Sequence, residues 1–368
     1  MRHIKHFIKN ETVLTAALLL AIISAFIVPP DRSYIDYLNL PVLALLFCLM
    51  AVVAGLRKEG LFDRLSDIVT RRIKNTRSQA AALCAVCFFT SMLITNDVAL
   101  ITFVPFTIML MRGQSEKRLI FTVVMETVAA NLGSLVTPIG NPQNLFLYTY
   151  YSLSIGEFLR ISLPLGGVCL VLIALTLLFT KGGEAVSQEA SGSVKLRKLP
   201  MAVYGGLFLV CILTVLDVLP YWACLAVVAL TLLIYDRQVF KRVDYVLLIT
   251  FVCFFVFVGN MSRIEAVKTF TTGILQGREL IVAALLSQII SNVPAATMLA
   301  PFTENYRELI LGVNIGGLGT MIASMASLIS YRFYCARQNP DRKRYFAVFS
   351  LLNFILLALL IALSYVIF

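Results

Sequence analysis

Polar side chains interrupt otherwise apolar stretches at two places in this chain, and they do so in the same order. Thr95-Asn96-Asp97-Val98-Ala99, running on to Pro105-Phe106, aligns without a gap on Ser291-Asn292-Val293-Pro294-Ala295, running on to Pro301-Phe302. The block NLGSLVTPIGNPQNL from Asn131 to Leu145 aligns in the same way on NIGGLGTMIASMASL from Asn314 to Leu328. Six of its fifteen positions are identical: Asn131/Asn314, Gly133/Gly316, Leu135/Leu318, Thr137/Thr320, Ile139/Ile322 and Leu145/Leu328. Asn96 and Asn292 each offer an amide that both donates and accepts. Thr137, Pro138, Gly140, Asn141, Pro142, Gln143 and Asn144 gather two prolines and a glycine, which free backbone groups, beside side chains that can pair with them. The second copy keeps Thr320, Ser324 and Ser327 but lacks the glycine and both prolines, so its break is gentler. The chemistry on offer is the holding of a small ion or polar solute by backbone and neutral side-chain groups. Kinks used only for packing are the plainer alternative, and the duplication argues against it.

Of twenty acidic residues, only Asp97 and Glu126 fall well inside predicted spans. A carboxylate there costs about 2.5–3.5 kcal/mol even on lenient insertion scales, which makes each a functional candidate. Asp97, beside Asn96 at a predicted break, is expected to help form a proton or cation site, with Na⁺ held near Asn96, Asp97 and Asn292. Its alternative role is a cap on backbone amides. Glu126 shares a helical face with Ala130 and Gly133, so proton carriage and a bond to a neighbouring helix are both open. No Lys or Arg lies inside a span, so an anion would have to be held by half-helix N-termini, backbone amides and Asn, Thr or Ser side chains. His3 and His6 are the only histidines and precede the first span, which excludes histidine catalysis and conventional zinc sites. Cys84-x-x-Cys87 sits in an apolar, alanine-rich helix and reads as packing. No cofactor is expected beyond a coupling ion, H⁺ or Na⁺.

These residues need a membrane scaffold. Hydrophobic residues are 59% of the chain, charged residues 14%, and mean hydropathy is +0.88, which implies an all-α polytopic membrane protein. The net charge of +11 does not indicate nucleic acid, because Lys and Arg collect in short segments between apolar runs. Nine full crossings are predicted, near 12–29, 40–56, 118–150, 157–180, 201–217, 220–235, 245–260, 308–330 and 345–366. Two further segments, 79–111 and 279–303, carry the Asn motifs and are predicted to be re-entrant hairpins. The run after the basic N-terminus lacks a small-x-small cleavage site and is read as an uncleaved first span. With the N-terminus in the cytoplasm, 25 of the 31 basic residues fall on the cytoplasmic side, leaving Arg32, Arg160, Arg263, Lys268, Arg278 and Arg307 outside. Five crossings then separate the spans that precede the two hairpins, so the hairpins enter from opposite faces. Two inverted-topology repeats follow, each with a hairpin and a broken helix: residues 1–180 and 201–368, joined by a cytoplasmic linker at 181–200. Residues 57–78 are basic and amphipathic and are expected to lie along the cytoplasmic interface. The C-terminus is predicted outside, in an inner or plasma membrane.

At Thr95-Asn96-Asp97, Ser291-Asn292-Val293 and the N-x-G-x-x-x-T-P-x-G-N-P-Q-N stretch from Asn131 to Asn144, the chain resembles the ion transporter superfamily. That group contains divalent-anion/sodium symporters, citrate transporters, arsenite permeases and certain sodium/proton antiporters, and the resemblance covers nearly the whole chain. Asn96 and Asn292 match the tips of the sodium-coupled dicarboxylate members, and Thr95 and Ser291 match acceptably. Asp97 and Val293 depart from them, and the Asn-Asp tip looks closer to the arsenite-permease branch. The resemblance implies a secondary transporter of a small anion or oxyanion, driven by H⁺ or Na⁺ and working by alternating access. A cation/proton antiporter is the runner-up, and an intramembrane enzyme lacks any nucleophile–base arrangement. The expected partners are the substrate and the lipid bilayer, with a homodimer compatible and nucleic acid excluded. The expected site comprises Thr95, Asn96, Asp97, Thr137, Gly140, Asn141, Asn144, Ser291, Asn292, Asn314, Thr320 and Ser324, with Glu126 as a second proton carrier.

Overall fold

The computed structural model describes residues 11–70, 75–178 and 196–368. The first ten residues, with both histidines, and most of the 181–200 linker lie outside the described residues. Apolar composition leaves the backbone to satisfy itself, and it does so as helices. The first half runs α1 (Thr12–Ile27), α2 (Ser33–Asp36), α3 (Leu40–Lys58), α4 (Leu61–Thr70), α5 (Thr76–Ile94), α6 (Asn96–Leu110), α7 (Glu116–Ser134), α8 (Pro142–Tyr150) and α9 (Ile155–Leu178). The second runs α10 (Lys198–Val215), α11 (Tyr221–Tyr235), α12 (Tyr245–Ser262), α13 (Glu265–Leu275), α14 (Glu279–Ile290), α15 (Asn292–Leu299), α16 (Tyr306–Ile315), α17 (Met325–Cys335) and α18 (Arg342–Ile367).

Six of these are long and apolar enough to cross a membrane unaided: α3, α5, α9, α10, α12 and α18. Helices α1, α6 and α11 are apolar but shorter. The expected spans at 118–150 and 308–330 are each divided, because the polar blocks at 135–141 and 316–324 end one helix before the next begins. α5 is itself long enough to cross, although its sequence reads as one arm of a hairpin.

From α3 to α9 the order is long helix, short helix, helical hairpin (α5/α6), broken helix (α7/α8), long helix. The same order recurs from α12 to α18, with hairpin α14/α15 and broken helix α16/α17. The short helix α4 falls inside the expected amphipathic segment. Its counterpart α13, which precedes α14 across a 110° bend, was not anticipated. The alternation of Phe270 and Ile274, both exposed, with Thr and Lys is too short to stand out by composition.

Each broken helix is pressed against the first arm of its own hairpin, and a glycine permits the approach. A Cβ on Gly133 would sit 2.1 Å from the Phe88 carbonyl oxygen of α5, and one on Gly316 would sit 2.8 Å from Ala284 Cα of α14. Phe88 and Ala284 occupy equivalent places in the two hairpins. One continuous core of buried residues joins both halves, including Phe88, Phe103, Leu132 and Leu145 of the first and Ala283, Leu309, Val313 and Phe349 of the second.

Candidate functional site

The two hairpin tips turn on single residues with almost identical backbones. Thr95 has φ 72° and ψ 149°; Ser291 has φ 79° and ψ 154°. Positive φ at these ψ values is a region nearly reserved for glycine, so each turn is held by its surroundings rather than chosen locally. Those surroundings match. The Asn96 amide N–H donates to the Gly140 carbonyl at 3.2 Å, and Asn292 N–H donates to the Ala323 carbonyl at 2.9 Å. Thr137 Oγ1 donates to the Met92 carbonyl, and Thr320 Oγ1 donates to the Gln288 carbonyl at 2.9 Å. Met92 and Gln288 each lie three residues before their tip. In both halves, therefore, the break of the broken helix stitches the hairpin tip in place.

The halves also bond to each other reciprocally. Ser324 Oγ donates to Asn131 Oδ1 at 3.0 Å, and Asn141 Nδ2 donates to Asn314 Oδ1 at 3.1 Å. In the sequence alignment Asn131 matches Asn314 and Asn141 matches Ser324, so this is one contact made twice, as residues across a two-fold axis make it. Asn96 Nδ2 adds a bond to Asn131 Oδ1 at 3.0 Å.

An inner cavity of about 110 Å³ opens between the tips, lined by Asn96, Asp97, Gln143, Ser291, Asn292 and Ser324 among others. The first residues of α6, α8, α15 and α17 (Asn96, Pro142, Asn292 and Met325) all face it. Four helix N-termini thus bring partial positive charge to one place, with Arg332 as the one basic side chain on its lining. An outer cavity of about 180 Å³ shares Asp97, Pro142, Asp244 and Leu247 with the inner one and adds Thr95, Asn141, Arg57 and Arg242. Three buried polar atoms around the tips have no hydrogen-bond partner: Asp97 Oδ1, Asn131 Nδ2 and Ser327 Oγ. Buried polar groups are nearly always paired, so these three atoms stand out, and of them only Asp97 Oδ1 belongs to a residue lining the cavities.

The expected site residues divide into two groups. Thr95, Asn96, Asp97, Asn141, Ser291, Asn292 and Ser324 line the cavities. Thr137, Gly140, Asn144, Asn314 and Thr320 instead hold the breaks. Asn144 Nδ2 points among the carbonyls of Ser134, Leu135 and Thr137 at 3.1–3.3 Å while its Oδ1 accepts from Asn314 Nδ2 at 2.6 Å. Glu126 stands apart from both cavities. It is fully buried, accepts from Thr107 Oγ1 at 2.5 Å and leaves Oε2 unpaired.

Five residues were not anticipated. Gln288 of α14 anchors the second break, donating to the carbonyls of Gly316 and Leu318 and accepting from Thr320 N–H at 2.8 Å. Arg57, Arg242 and Asp244 sit at span ends, where sequence alone does not separate a loop residue from a cavity wall. A second buried acid, Glu279, starts α14 and accepts from Thr303 Oγ1 at 3.0 Å. Cys84 and Cys87 are buried and free, away from both cavities.

The profile of the citrate transporter family matches residues 7–308. The chain belongs to that family. The match takes in the first repeat, the inter-repeat helices and the second hairpin. Uncharacterized transporter MJ0456 of Methanocaldococcus jannaschii is 35% identical over 289 residues, covering 78% of this chain and 79% of that protein. The inner membrane protein YbiR of Escherichia coli strain K12 is 32% identical over 289 residues, 77% of each. The silicon efflux transporter LSI3 of Oryza sativa subsp. japonica is 29% identical over 178 residues, 47% of this chain and 36% of that one. This member of the citrate transporter family is accordingly a multi-pass membrane transporter, within the ion transporter superfamily that its tip motifs resemble.

Proposed function

We propose that this chain is a secondary active transporter that moves a small anion or oxyanion across an inner or plasma membrane, coupled to H⁺ or Na⁺ at Asp97. The observation that carries the reading is the meeting of two like-shaped hairpin tips at one cavity that also holds an unpaired carboxylate oxygen. Neutral amides, hydroxyls and four helix N-termini favour oxygen-rich, negatively polarised solutes such as carboxylates or arsenite-like oxyacids. Asp97 disfavours a bare anion beside it, so the carboxylate takes up H⁺ or Na⁺ before or with the substrate. The Asp97 oxygen with Asn96 and Asn292 is the place for Na⁺.

The two halves serve as inverted repeats whose re-entrant hairpins approach the site from opposite faces. The distribution of basic residues and the reciprocal Asn131–Ser324 and Asn141–Asn314 bonds support this arrangement, which is the one alternating access uses. The N-terminus then lies in the cytoplasm and the C-terminus outside. Arg57, Arg242 and Asp244 are on the predicted cytoplasmic side, so the described conformation opens inward.

Proteoliposomes loaded and diluted to impose a proton or sodium gradient, with citrate, arsenite and silicic acid offered in turn, test the reading. Accumulation of one of them under one gradient supports it. Exchange of Na⁺ for H⁺ with no solute requirement would favour the second reading, a cation/proton antiporter, for which the unpaired Asp97 carboxylate is the specific argument. Absence of both activities would sink the proposal.

A further inference from the structure

Arg57 lies in the last turn of α3 in the first half, and Arg242 lies three residues before the start of α12 in the second. Both line the outer cavity that leads to Asp97. Three basic residues on the same predicted face are neutralised. Lys58 lies 2.7 Å from Asp236, Arg197 lies 2.7 Å from Glu59, and Arg337 lies 2.9 Å from Glu116. Among the described residues Arg57 and Arg242 have no carboxylate in ion-pair contact. Arg57 Nη2 instead donates to the Ile101 carbonyl of α6 at 3.4 Å, which holds the guanidinium against the cavity wall. The two arginines are near enough for their charges to oppose each other.

The nearby acids offset this repulsion without pairing with either guanidinium. Asp244 Oδ1 is engaged as a helix cap, accepting from Leu247 N–H at 2.9 Å. Asp63 is near Arg57 without forming an ion pair with it. Glu11 and Arg332, on the inner cavity, offset one another in charge. Asp97 and Asp244 line the same wall and balance its formal charge, but among the described residues neither guanidinium gives its N–H donors to a carboxylate, so both keep donors for a solute. The planar guanidinium forks match the paired oxygens of carboxylates and oxyanions.

We propose that Arg57 and Arg242 form an outer docking site for a small carboxylate or oxyanion carrying at least two negative oxygens, capturing it at the inward-facing mouth ahead of the hairpin tips. This rests on the transporter reading above and adds a second, charged station to the neutral one at the tips. It also makes the molecule asymmetric. Arg263 sits at the C-terminal end of α12 as Arg57 does at that of α3, but it is occupied, 2.9 Å from Asp31 and bonded to Tyr37, so the outward side lacks an equivalent station.

Calorimetric titration of the purified full-length chain with citrate and with sulfate, at constant ionic strength set with NaCl, tests this. Wild type binds at least one of the two. R57Q and R242Q each weaken that binding roughly fivefold or more, and the double variant removes it, as loss of a close charge partner does. R57K retains part of it, because the charge stays while the fork is lost. K117Q, which removes an exposed charge of the same predicted face away from the cavity, leaves it unchanged. Thermal unfolding of each variant checks that it is folded. Failure of wild type to bind either anion, unchanged binding in the double variant, or an equal loss in K117Q would each overturn the docking site. N292A separates this from the tip reading, since it lowers transport without touching anion binding at the mouth. Intact transport in N292A alongside lost binding in R57Q would refute the tips and leave the outer site standing.

Discussion

Thr95 and Ser291 turn their hairpins with dihedral angles that agree within a few degrees, yet the residue after each tip asparagine is an aspartate in one half and a valine in the other. The matched parts are those that shape the site: the tip turn, its bond to the break, the threonine tie to the preceding arm and the glycine that lets the broken helix approach. The unmatched parts differ in chemistry. Asp97 faces the cavity where Val293 offers only a methyl-bearing surface, and the first break has two prolines and three amide side chains where the second has small residues. The two halves therefore share a backbone cradle and differ in the acid that follows the first tip asparagine.

Changes that remove what the halves share should hurt most. Asn96→Ala and Asn292→Ala each leave tip or ligand groups unpaired, a cost of about 1–3 kcal/mol, or roughly 5- to 150-fold in substrate binding, with similar penalties for the two. A large loss in one and none in the other would mean that only one tip contributes. Gly133→Ala and Gly316→Ala test the close approach of the broken helices. Overpacking at such contacts costs about 1–3 kcal/mol, seen as a lower unfolding temperature. Gly133 should suffer more, since its added methyl meets a backbone oxygen at 2.1 Å. Equal melting temperatures for wild type and Gly133→Ala would show that α7 is not pressed on α5 as described.

The smallest effect concerns how the halves are fastened at one end. Partial burial would raise the Glu116 carboxyl, but bonds from Arg337 and Tyr334, with the Arg337 charge, hold it below the usual carboxylate range. A lowered folded-state pKa contributes stability that is present above the ordinary carboxylate range and is lost as pH falls through the folded value. Unfolding temperature should therefore drop on acidification below about pH 4.5, and Glu116→Gln should flatten that part of the profile. A profile identical to wild type would remove Glu116–Arg337 as a tie between the repeats.

Much of this was legible because membranes penalise irregular backbone. Asn96, Asn292 and the Asn131 and Asn314 blocks stand out against apolar neighbours, and their duplication predicted helix breaks at nearly the positions where the structure has them. The roles within the blocks were less legible. Asn144 and Asn141 look alike in sequence, but Asn144 is consumed by three carbonyls and Asn314, while Asn141 reaches the outer cavity. Glu126 and Asp97 both fall within predicted spans, yet of the two only Asp97 lines the cavities at the tips. Arg57 and Arg242 are far apart along the chain, and only the packing of α3 beside α12 brings them to one wall. Spacing reveals where backbone must be irregular; it does not reveal which polar groups are already spoken for.

Gradient-driven uptake by proteoliposomes bearing Asp97→Asn, set beside wild type and Glu126→Gln, tests the division between shared cradle and single coupling group most directly. The variant keeps the shape and hydrogen bonding of Asp97 but cannot gain or lose a charge. Accumulation against a gradient should disappear in Asp97→Asn while exchange across a collapsed gradient persists, and Glu126→Gln should lose less. Full accumulation by Asp97→Asn with an unchanged dependence on pH and Na⁺ would contradict the account and leave Asp97 as a cap on the hairpin tip.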